Sequence, residues 1–116
     1  MKFLVLMAEE DTWNRWEALS DVEQQAVFDR FTAFTEAVKQ RGSVLAGEAL
    51  EQSSRARTVR PGAERLVTDG PFAETVEEVG GFWLVDLPDL ETAVTAAKVL
   101  PDSYSVEVRP VVDMGA

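Results

Sequence analysis

Cysteine and histidine are both absent from the 116 residues. Without cysteine there are no disulfides, thiolate nucleophiles or sulfur-ligated metals. Without histidine the usual general base near neutral pH and the commonest metal ligand are gone, so no metal and no cofactor is expected. Basic residues are also scarce: 11 lysines and arginines stand against 21 acidic residues, for a net charge of −10. Such a surface repels phosphate backbones and anionic lipid, which argues against nucleic acid and membrane as partners. Long apolar runs are missing too. Met1-Lys2-Phe3-Leu4-Val5-Leu6-Met7 gives way at once to Glu9-Glu10-Asp11, too short for a signal peptide or a membrane span. A cytoplasmic protein is expected.

What is present suffices for one domain, residues 1–116. Hydrophobic residues make up 46%, and a chain of this length buries roughly two-thirds of its unfolded surface. Residues 2–8 read as a strand apolar on both faces. Asp11 to Trp16 read as a polar linker carrying two tryptophans. Ser20-Asp21-Val22-Glu23 is a capping box, opening a helix with Val27, Phe28, Phe31, Phe34, Thr35 and Val38 at helical spacing. Gly42 ends it. Strands are expected at 44–50, 55–60 and, past Pro61-Gly62, 65–68. Residues 81–86 form another strand apolar on both sides, Pro88-Asp89 starts a second helix that Pro101 stops, and 105–111 is the last strand.

This order gives two βαβ-type units with an extra strand pair between them, an α+β ferredoxin-like sandwich. Two helices cover only one face of the sheet. Two strands are nevertheless apolar on both faces, so a second copy is expected against the other face, as a homodimer forming a dimeric α/β barrel.

Val67-Thr68-Asp69-Gly70-Pro71-Phe72-Ala73-Glu74-Thr75, followed by Gly80-Gly81-Phe82, resembles the signature of YCII-related proteins of the DGPF group. The amino-terminal strand, the Trp-containing linker, Gly47-Glu48-Ala49-Leu50 and Ser105 to Pro110 extend the likeness over nearly the whole chain. The resemblance implies a dimeric α+β barrel without a settled activity. A His–Asp catalytic pair has been suggested within the wider family, and halide elimination from a ring is associated with it. That pair has no counterpart in a chain without histidine, and Val76 stands where the DGPF pattern usually has lysine.

Asp69 has two readings: a turn former with Gly70 and Pro71, or a carboxylate beside a pocket. Asp69 and Glu74, held close, would have pKa values pushed apart and supply an acid and a base. Glu48 lies on an apolar strand face with Val44, Ala46 and Leu50, and needs a partner there, Arg109 or Arg57. Such a pair is either structural or the polar floor of a pocket for a small organic acid or phenol. Phe72 and Phe82 read as core, and Phe72 is also counted with Trp16, Glu48, Arg57 and Arg109 as ligand-binding. Trp13 and Trp16 suit a lid or an interface, and Trp83 a core or dimer-interface position. Two functions remain open: a module binding a small organic ligand, or a small lyase or dehydrochlorinase-like enzyme using Asp69 and Glu74, with Arg109 holding an anion.

Overall fold

The computed structural model describes residues 1–73 and 75–115. Strand β1 (Lys2–Glu10) leads into helices α1 (Thr12–Ala18) and α2 (Asp21–Lys39), then strand β2 (Ser43–Ala49). A short 3-10 turn precedes strands β3 (Arg57–Val59) and β4 (Val67–Asp69). Strand β5 (Glu77–Asp86), helix α3 (Leu90–Ala97) and strand β6 (Ser105–Pro110) complete the order.

The main sheet runs β2-β5-β1-β6 with every neighbour antiparallel. That order is compatible with the ferredoxin-like plan, and β3 and β4 form a separate two-stranded sheet. No closed barrel forms within one chain among the described residues. The core lies on one face only. Phe3, Val5 and Met7 of β1 and Val85 of β5 are buried against Phe34 and Val38 of α2 and Ala93 and Ala96 of α3. The alternate residues Leu4, Leu6, Phe82 and Leu84 pair across β1 and β5 on the other face and are half-buried. Alternation in a strand sends these two sets to opposite faces, as the two-sided apolar strands required.

The capping box forms as expected: Glu23 N donates to Ser20 Oγ at 3.2 Å and Ser20 N to Glu23 Oε1 at 3.0 Å. Three expectations need correction. The tryptophan-bearing segment is a helix, α1, rather than a linker. No side chain caps its start, where Asp11 adopts φ 54°. Docking holds it instead, through Trp16 edge-on to Phe28 (5.3 Å) and Gln24 Nε2 donating to the Trp16 carbonyl. Next, β5 begins at Glu77, because Glu77–Val79 pair with β1 and Gly80 is the extra residue of a bulge. Finally, a register shift between Val44 and Ala46 in β2 splits the face expected to hold both. Val44 pairs with Val85 and packs on the core, whereas Ala46 and Glu48 pair with Leu84 and Phe82 on the opposite side.

Candidate functional site

A cavity of about 380 Å³ opens between α1, the amino-terminal half of α2 and the carboxyl-terminal half of β2. Aromatic rings make most of its wall. Trp16 meets Phe28 at 5.3 Å, Phe28 meets Phe31 at 6.2 Å, and Phe31 meets Trp83 at 6.0 Å, each pair edge-on. This chain of T-shaped contacts is the arrangement that ring quadrupoles favour, and it links α1, α2 and β5 through one apolar surface. Trp83 is tilted against buried Phe34 behind it. All three tryptophans of the chain line the cavity.

Small residues open the space these rings need. A Cβ at Gly47 would lie 2.5 Å from Cε3 of Trp83, so the β2 backbone approaches the indole face only as glycine. Gly81 is similarly close to Met7 Cε, at 3.0 Å. The Trp83 indole nitrogen is buried without a hydrogen-bond partner among the described residues.

The polar end is built by Thr12 and Tyr104. Burial pushes the Tyr104 phenol up from its ordinary pKa, hydrogen bonding to Thr12 pulls the other way, and the nearby Glu9 carboxylate raises it further. The phenol therefore stays protonated at neutral pH. Glu9 itself is only 7% exposed. Glu48 lines the mouth and is exposed. A second hollow, about 210 Å³, adjoins the first at Trp13 and is polar, with Asp11, Ser53 and Glu78 in its wall. Its acids are held: Asn14 Nδ2 donates to Asp11 at 2.8 Å, and Ser53 Oγ donates to Glu78 at 2.7 Å.

Of the residues singled out in the sequence, Trp13, Trp16, Glu48, Phe82 and Trp83 come together at this cavity. Asp69, Arg57, Arg109 and Phe72 lie elsewhere. Asp69 and Arg57 are cross-strand partners in the β3–β4 hairpin, forming an exposed ion pair at 3.3 Å. The turn after Asp69 is held by Thr58 Oγ1 donating to the Gly70 carbonyl and by Gly70 N donating to Ala56. Arg109 pairs with Glu107 on β6 at 2.6 Å. Glu48 therefore takes neither arginine, and being exposed needs none. Phe72 is 79% exposed rather than in the core, because the hairpin stands outside the main sheet. Glu74 lies outside the described residues.

Thr12, Phe28, Phe31, Gly47 and Tyr104 line the cavity without having been singled out as a site. Phe28 and Phe31 read as core from helical spacing, and spacing does not distinguish a ring that fills a core from one that walls a cavity. Tyr104, the only tyrosine, carried a faint signal in its rarity. Among the described residues no group of three or more acidic side chains is placed to hold a metal ion. The lining offers dispersion, ring faces and hydroxyls.

Comparison with known proteins adds two findings. The family model of the YCII-related domain matches residues 1–115. An uncharacterised protein of Rhizobium meliloti (strain 1021) is 36% identical over 98 residues, spanning 80% of this chain and 79% of its own length.

Proposed function

Since the chain belongs to the YCII-related family, we propose that it binds a small organic molecule in the aromatic-walled cavity. The observation carrying this reading is the cavity itself. At about 380 Å³ it falls within the range of small-molecule sites, which are concave, mostly apolar and marked by a few polar groups. Trp16 contributes a wall and Glu48 the mouth. Asp69-Gly70-Pro71-Phe72 fits the DGPF group within the family.

The working unit in this reading is a homodimer whose two sheets face each other as a dimeric α+β barrel. Leu4, Leu6, Phe82 and Leu84 give each copy an apolar face with no helix over it among the described residues, and symmetric pairing covers such a face with its own kind. The cysteine-free composition suits a cytoplasmic setting. The enzymatic alternative, acid–base chemistry by Asp69 and Glu74 with Arg109 as anion anchor, draws less support. Asp69 and Arg109 are each exposed and paired with a neighbour outside the cavity.

The test is a thermal-shift screen with small aromatic compounds on the wild type and on Phe28→Ala, whose ring is half exposed and whose loss leaves the core intact. A compound that raises the wild-type melting temperature by several degrees is expected to raise the variant's far less. Shifts of equal size in both proteins would remove the cavity from the reading.

A further inference from the structure

The charges around the cavity narrow the ligand, and this step rests on the binding reading above. Half of the residues lining the cavity are aromatic. Ring faces carry negative quadrupole potential and attract cations, more strongly where water is excluded. Among the described lining residues the only formally charged one is Glu48, at the mouth. Among the described lining residues there is no lysine or arginine.

A second carboxylate lies behind the polar end. Glu9 is buried in the sheet, close enough to Tyr104 for its charge to act on the phenol. The adjoining hollow across Trp13 adds Asp11 and Glu78, again with no base among its described lining residues. Three arginines of neighbouring segments are engaged, Arg55 with Glu51, Arg57 with Asp69 and Arg109 with Glu107, while Arg15 of α1 is exposed and is not among the described lining residues. An anion entering here would be desolvated beside carboxylates with no counter-charge among the described lining residues, an expensive placement. The unpaired Trp83 nitrogen does not offset this, because it is sealed off from the cavity surface. At long range the net charge of −10 raises the local concentration of cations and lowers that of anions.

We propose that the cavity takes an organic cation: an amine, protonated or quaternary, carried on an aryl or alkyl body. The body lies against the Trp16–Phe28–Phe31–Trp83 wall and the ammonium sits among the rings at the mouth, with Glu48 on edge strand β2 acting through its charge at the rim. This differs from the organic acid or phenol that Glu48 with an arginine partner would have suited.

Tryptophan fluorescence reads the site directly, since all three tryptophans line it. Three probes of one shape separate charge from size: phenethylammonium, phenethyl alcohol and phenylacetate, titrated at low ionic strength. The ammonium is expected to bind about tenfold more tightly than the alcohol, as a desolvated cation–π contact allows, with phenylacetate weakest. In Glu48→Gln the ammonium should fall to within about threefold of the alcohol while the alcohol is unchanged; a full preference retained there overturns the role given to Glu48. An alcohol or phenylacetate affinity equal to or above that of the ammonium overturns the cation assignment and leaves small-molecule binding standing. No saturable quenching by any probe, with circular dichroism showing an intact fold, overturns the binding reading itself.

Discussion

A Cβ built on Gly42 would lie 1.9 Å from the Asp86 carbonyl oxygen, and one on Gly47 2.5 Å from Cε3 of Trp83. The two obstacles differ in what they can do. Asp86 belongs to the β2–β5 ladder, opposite Ser43, so its carbonyl moves only with the sheet. The Trp83 ring can tilt towards the cavity beside it. Gly47→Ala is therefore expected to cost about 1–3 kcal/mol, the usual range for overpacking, and Gly42→Ala distinctly more. Urea denaturation measures both, and a smaller loss for Gly42→Ala would reverse the argument. In the sequence Gly42 reads as a helix terminator, and it does follow α2. Its main constraint, a close backbone approach from β5, has no sequence signal. The site is similarly half legible. Trp16 and Glu48 stand out as unusual residues in their segments, whereas Asp69, Arg57 and Arg109 attract notice through charge and find partners on their own strand or hairpin.

Helices show which signals survive translation into structure. The α2 start is legible because a capping box is local chemistry, and α3 starts where Asp89 Oδ1 accepts from Thr92 N at 2.8 Å. Helix α1 is hidden because docking onto α2 stabilises it rather than its own cap, and that contact depends on the fold. The caps predict a pH effect. Hydrogen bonds from Ser20 hold the Glu23 carboxyl below its ordinary pKa, and those from Thr92 do the same for Asp89. A carboxylate depressed in the folded state adds stability above its unfolded pKa and loses it as pH falls through the folded value. Glu23→Gln/Asp89→Asn keeps hydrogen-bonding side chains but removes both titrations. Its melting temperature should trail the wild type at neutral pH, and the gap should close at strongly acid pH. A gap that widens on acidification would contradict the assignment. Both groups are fully exposed, so salt should shrink the neutral-pH gap as well.

On the scale of the whole molecule, the chain is a slab of 47 × 45 × 18 Å with a radius of gyration of 15.9 Å. A compact domain of this length is expected near about 13 Å. One layer of helices on one sheet, with a hairpin set apart, accounts for the excess. The same incompleteness underlies the expected dimer. The wild type should sediment at twice the chain mass, and Leu84→Glu, which puts a charge in the middle of the open face, should sediment as a monomer with its helices intact. A wild type that stays monomeric at high concentration would remove the barrel. The α+β class is legible from element order, since hydrophobic periodicity and turn residues mark the four main strands. The hairpin's separation from them is not, because it depends on where β5 pairs.

That hairpin also divides the chain in an instructive place. Arg65 sits exposed in its loop with φ 49°, open to an arginine-specific protease. A nick there leaves β1 and β2 on one piece and β5 and β6 on the other. The sheet order β2-β5-β1-β6 then alternates strictly between the two pieces, strand by strand. Neither fragment owns a pair of adjacent strands in the main sheet, so the halves stay interleaved after the cut, and each depends on the other for its place in the fold.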